Sequence, residues 1–137
     1  VYNEDLMGIS PNIRTPLNYF VEIIKKIRFS IKKNIKVTVF SDGNYSEISE
    51  IFSLENVFFS KSSSDLEDLI KLSKSKLIIT SYSSTFSYWA AYLSSAPVIL
   101  HPKHKIQIRK EISGVFQGSI DLNKPFESYF LEYLKHI

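Results

Sequence analysis

The chain has 137 residues, 44% hydrophobic and 23% charged, which fits one domain around one core. Its net charge of +3 and pI of about 9.0 fall short of the clustered charge of a dedicated nucleic-acid binder, while leaving a phosphate-bearing partner open. There is no cysteine, which excludes a disulfide framework and a thiolate metal site, and no apolar run approaches the roughly 20 residues that span a bilayer.

Residues 1–13 show no clear period and read as a loop, or as the remnant of a truncated upstream element; the chain starts at Val1, so it is expected to be a segment of something longer. Thr15 before Pro16 predicts a helix start, and Leu17, Phe20, Val21, Ile24, Ile27 and Ile31 follow at helical spacing. The lysines at 25, 26, 32 and 33 read as a solvated face matched to the helix dipole. Val37 to Phe40 is a β-branched run ending in the turn Ser41-Asp42-Gly43. A short helix with Ile48, Ile51 and Phe52 comes next, then a brief strand from Val57 to Phe59.

Ser64 with Glu67 predicts a capping box opening a helix that carries Leu66, Leu69, Ile70 and Leu72. Leu77 to Ile79 is a third predicted strand, and a fourth helix carries Phe86, Trp89, Ala90 and Leu93. Pro97 to Leu100 is the fourth strand. Gly118 to Leu122 suggests one more, and the C-terminal segment 123–137 contains a last helix from Pro125 to His136, with Phe126, Phe130, Tyr133 and Leu134 inward. Short apolar strands alternating with helices predict an α/β fold: an open parallel sheet covered by helices on both faces.

In such a sheet, ligands collect outside the carboxyl ends of the strands. Thr80 to Thr85 places five serine and threonine hydroxyls at a strand-to-helix junction, where the first-turn N–H groups and the positive dipole end also attract a phosphate. Composition leaves two readings: a phosphate site, or a capped helix with a hydrogen-bonded turn. Neither G-x-G-x-x-G, nor a Walker-type loop, nor a G-x-S-x-G elbow occurs. His101 and His104 lack a third ligand nearby and read as solvated or phosphate-facing, not as metal ligands. Phe86, Tyr88 and Trp89 read as helix packing, with Tyr88 turned towards solvent.

The stretch from Asp68 to Trp89 resembles a signature of α-1,2-fucosyltransferases and their bacterial relatives: an acidic residue opens a helix, a strand follows, and an S-S-F-S-W-W-like segment starts the next helix. Val39-Phe40-Ser41-Asp42 resembles that family's strand ending in Ser-Asp, and Arg14-Thr15-Pro16 before an aromatic-rich helix is similar to related polysaccharide-biosynthesis proteins. The resemblance covers roughly residues 14–102. It implies a Rossmann-like sheet forming half of a GT-B fold, and a glycosyltransferase that binds a nucleotide-sugar donor, GDP-fucose, and moves the sugar to a glycan acceptor with inversion.

By the same resemblance, Asp68 contacts the nucleotide base, and Ser83, Ser84 and Thr85 hold the diphosphate. Ser41 and Asp42 line the cleft, and Arg14 is the candidate cation. No cofactor, metal, nucleic-acid partner or membrane span is implied, and no catalytic residue is assigned. The expected location is the cytoplasm, free or peripheral to the membrane. The family's H-x-R-x-G-D motif is absent; upstream of Arg14 stand Gly8-Ile9-Ser10-Pro11-Asn12-Ile13. The acceptor-binding half is expected in a missing upstream domain of the same protein, and this segment alone is expected to be inactive. The alternatives are a non-catalytic nucleotide-binding domain and a flavodoxin-like domain making protein contacts.

Overall fold

The computed structural model describes residues 7–9, 15–41, 45–61, 64–82, 84–104 and 106–137. Six parallel strands form one open sheet: β1 (Met7–Ile9), β2 (Val37–Val39), β3 (Val57–Phe59), β4 (Ile78–Ile79), β5 (Val98–Ile99) and β6 (Gln117–Gly118). Their spatial order is β3-β2-β1-β4-β5-β6, a Rossmann-like arrangement. The helices are α1 (Leu17–Ile31), α2 (Tyr45–Ile48) running into a 3-10 segment (Ser49–Ser53), α3 (Asp65–Ser73), α4 (Thr85–Leu93) and α5 (Ser128–Lys135).

Successive side chains of a strand point to opposite faces, and the sheet accordingly divides the core in two. Met7, Ile9, Val37, Val39, Leu77, Ile79 and Ile99 pack with Phe20, Ile23, Ile24 and Ile27 of α1 and Phe130 and Leu134 of α5. Ile78 and Val98 face the other way, onto Leu72 of α3 and Ala90 and Ala91 of α4. Each such large side chain, fully removed from water, contributes about 1.5–3 kcal/mol before entropy is counted.

Several sequence expectations shift. Met7–Ile9, expected within a loop or remnant, form the central strand β1, paired to both β2 and β4. A three-residue strand containing glycine gives no period, yet the glycine has a reason: a Cβ on Gly8 would lie 2.5 Å from Leu72 Cδ1 and 2.5 Å from Ser75 Oγ, so α3 packs directly on that backbone. The last strand is Gln117–Gly118, earlier than Gly118 to Leu122. The last helix starts at Ser128, leaving Phe126 buried ahead of it and Tyr133 39% exposed. On α4, Trp89 and Leu93 are exposed and the buried face is Ser87, Ala90 and Ala91, because α4 lies close against the sheet and α3.

The lysine face of α1 is also more than solvated. Lys26 Nζ donates to the Lys124 carbonyl at 2.6 Å and lies over the Phe126 ring, and Lys33 Nζ donates to the Lys135 carbonyl at 3.1 Å. These contacts tie the C-terminal segment to α1.

Candidate functional site

In the order β3-β2-β1-β4-β5-β6 the chain leaves β1 for α1 on one face and leaves β4 for α4 on the other. The two connections diverge at the carboxyl ends of adjacent strands, which opens a crevice between them, the usual ligand position in this topology. Thr15 and the loop from Thr80 to Ser84 flank it, and the backbone N–H of Tyr82 donates to Thr15 Oγ1 at 2.9 Å. Thr15 was expected to cap α1. Its hydroxyl instead joins the two sides of the crevice, and α1 begins behind Pro16 with no side-chain cap.

The hydroxyls of the β4–α4 loop divide between inward and outward roles. Thr80 and Ser81 are fully buried, and Thr80 Oγ1 reaches the Ile99 carbonyl at 3.4 Å. Ser84 is the N-cap of α4: its Oγ accepts the Ser87 N–H at 3.2 Å. Thr85 begins the helix at the carboxyl edge of the sheet and is exposed, and the amides of a first helical turn have no partner within the helix. The capped-helix reading thus holds at Ser84.

Asp68 lies in the first turn of α3, where Ser60, just past β3, donates its hydroxyl to Oδ1 at 2.6 Å. Ser64 caps this helix by accepting the Glu67 N–H, and Glu67 pairs with Lys71 at 3.8 Å. The Ser60 bond holds Asp68 at the carboxyl edge of the sheet. β3 and β4 are three strand spacings apart, roughly 14 Å. Ser41 follows β2 on the same edge. Arg14, Asp42 and Ser83 lie outside the described residues.

Sequence reasoning flagged His101 but not its surroundings. The ring lies between Tyr19 of α1 (4.8 Å between centroids) and Tyr82 (5.5 Å). Its Nδ1 accepts the Lys103 N–H at 3.1 Å, which assigns the proton of the neutral ring to Nε2. Burial, and then the Lys103 charge, lower the His101 pKa and favour that neutral form. Among the described residues the buried Tyr19 hydroxyl has no hydrogen-bond partner, and burial, with Tyr88 adding to it, raises its pKa far enough to keep it protonated. The cluster thus presents neutral donors at the carboxyl edge. Tyr19 gave no signal in the sequence, because its position depends on the start of α1 lying beside the segment after β5.

The two described arginines are engaged elsewhere. Arg28 donates to the Ile35 carbonyl at 2.8 Å, and Arg109 donates to the carbonyls of Ala91, Ser94 and Ala96 behind α4. Among the described residues, no group of three or more His, Asp and Glu side chains is placed to hold a metal ion, and no helix is long and apolar enough to cross a membrane.

The sequence model described as "Glycosyl transferase family 11" matches residues 12–108. No curated protein and no solved structure gives a significant match. The matched span runs from the loop after β1 to the segment after β5, and so contains every described residue of the crevice.

Proposed function

This chain belongs to glycosyl transferase family 11, the family of α-1,2-fucosyltransferases, and on that premise we propose that its crevice binds the nucleotide part of a sugar donor, GDP-fucose, for transfer of fucose to a glycan hydroxyl. The observation that carries the reading is the first turn of α4 at the switch point, which starts at the exposed Thr85 just after the Thr15–Tyr82 bond and whose amides lie outside the helix ladder. Such donors suit a diphosphate: two or three N–H and O–H groups, fixed before the ligand arrives, at the positive end of a helix dipole.

Asp68, held at the same edge by Ser60, would accept N–H groups of the base, with Ser41 and Asp42 lining the space between. Ser83 and Ser84 complete the phosphate loop, Ser84 chiefly by fixing the first turn through its cap. Arg14 is the cation we assign to the diphosphate. The chain has three arginines, and the other two are spent on backbone carbonyls. In the transfer, the acceptor oxygen attacks the anomeric carbon as its bond to the phosphate oxygen breaks, inverting the centre. Negative charge grows on the leaving GDP, where the helix amides and Arg14 stabilise it without a metal. We take this chain as the donor half of a GT-B enzyme, with the acceptor bound largely by another domain.

Calorimetric titration of the full-length protein with GDP, and with ADP for comparison, tests the reading. Guanine-selective binding that weakens about tenfold or more in Asp68→Ala and in Arg14→Ala is the expected result, the loss of one charge-assisted contact each. Equal affinity for GDP and ADP, unchanged in both variants, would overturn the assignment. A second reading, donor binding without transfer, is favoured by the absent H-x-R-x-G-D motif; GDP binding with no fucose release from the full-length protein would select it.

A further inference from the structure

On the face of α4 opposite its buried Ser87, Ala90 and Ala91 lies a cavity of about 370 Å³, within the usual range for a small-molecule site. Thr85, Tyr88, Trp89 and Tyr92 form one wall, at the i, i+3, i+4, i+7 spacing of a single helix face. The opposite wall is the segment after β5, through His104, Ile106 and Ile108. The buried face of the helix is different, with Ala90 and Ala91 in the second core and Phe86 packed against it.

The wall residues are poorly explained by folding. Trp89, Tyr92 and Ile106 are 55%, 59% and 77% exposed, although a helix surface needs no such apolar area. They are nevertheless ordered against one another: the Trp89 and Tyr92 rings meet edge to face at 6.0 Å, and Tyr88 meets His104 at 4.7 Å. The His104 ring is held in turn by its contact with the Ile106 carbonyl.

We propose that this cavity binds a neutral pyranose ring. Among the described residues, none that lines the cavity is Asp, Glu, Lys or Arg. What it offers is aromatic faces for an apolar C–H surface, and hydroxyl and imidazole groups at the rim for sugar hydroxyls. The position agrees, because Thr85 belongs both to the cavity and to the turn assigned above to the diphosphate. A sugar seated here is adjacent to the phosphates. This placement rests on the donor-site reading of that turn; the chemistry of the cavity does not.

The test is the emission of Trp89, the single tryptophan of the chain, in the full-length protein with Trp89→Phe as the reference. One arm titrates methyl glycosides of fucose and galactose, with and without saturating GDP, and reads an acceptor sugar. The other compares GDP-fucose with GDP and reads the donor sugar. A Trp89-dependent change from either sugar, with affinity about tenfold weaker in Tyr92→Ala and GDP affinity unchanged, is expected from the loss of one stacking face. Both Tyr92 and Ile106 are largely exposed, so Tyr92→Ala and Ile106→Ala leave the fold intact.

A nucleobase site would instead show GDP alone shifting the emission and losing affinity in Tyr92→Ala, which would overturn the proposal. So would sugar titrations that leave Trp89 emission unchanged, or sugar affinities indifferent to both substitutions. Failure of the donor-site reading shows separately, as absent GDP binding in the unsubstituted protein, and the glycoside titration without GDP still decides the cavity.

Discussion

At the scale of single residues, His101 is the group whose chemistry most depends on its neighbours. Between Tyr19 and Tyr82, and facing the Lys103 charge, it has a folded pKa below the ordinary histidine value. The unfolded chain then binds a proton more readily than the folded one. The contribution to stability is fully present above about pH 6.5 and is lost as pH falls from there through the depressed folded value. Urea unfolding midpoints measured between pH 7.5 and 5 should therefore fall with pH, and His101→Gln should flatten that part of the profile. An unchanged slope in the variant would place the titration elsewhere. The neutral ring also matters for binding, since its Nε2 proton makes it a donor without the desolvation cost of a buried cation. A lone histidine in a sequence carries none of this, because both tyrosines reach it from other parts of the chain.

At the scale of elements, the N-terminus of α4 holds two functions that one substitution pair separates. Ser84 caps the helix through the Ser87 N–H, and the exposed Thr85 follows it. Ser84→Ala removes the cap and should cost about 1 kcal/mol of stability. Ser84→Asp keeps a capping oxygen and favours the dipole, so denaturant unfolding should show stability within about 0.5 kcal/mol of the parent. The added carboxylate faces the proposed diphosphate, and GDP affinity should fall far more in Ser84→Asp than in Ser84→Ala. The opposite ranking would mean that the phosphates lie away from this turn. Much of this element was legible beforehand, as were the strands at 37–39, 57–59, 78–79 and 98–99, because apolar runs bounded by polar turns need no tertiary information. β1 was not legible. Met7-Gly8-Ile9 is recognisable only once Leu72 and Ser75 are seen resting on the bare Gly8 backbone. Nor was the α4 cavity, whose aromatic wall has ordinary helical spacing and acquires an opposite wall only when His104, Ile106 and Ile108 come to lie beside it.

At the scale of the whole molecule, the sheet consists of two sets of strands, β3-β2-β1 and β4-β5-β6, which meet at the β1–β4 pair. That pair is short, matching Gly8 to Ile78 and Ile9 to Ile79, and α3 and α1 cover it from opposite faces. Strand order was beyond the sequence, because the same alternation of strands and helices fits several orders. At the carboxyl edge the Thr15–Tyr82 bond spans this junction, and it does so where the ligand is proposed to sit. Thr15 is 2% exposed, so Thr15→Val preserves its shape and removes the acceptor inside a dry site. The Tyr82 amide loses that partner, and stability should fall by about 1–2 kcal/mol. Hydrogen exchange at Tyr82 and its neighbours should accelerate more than exchange in the core of α1, since the change loosens the crevice before the sheet. GDP affinity should fall with it, although Thr15 is assigned no contact with the nucleotide, because a loop that must be ordered on binding draws that cost from the binding energy. Faster exchange with unchanged GDP affinity would show that the two sides of the crevice are set independently. The parallel loss of both would make the junction between the two strand sets the part of the fold on which donor binding depends.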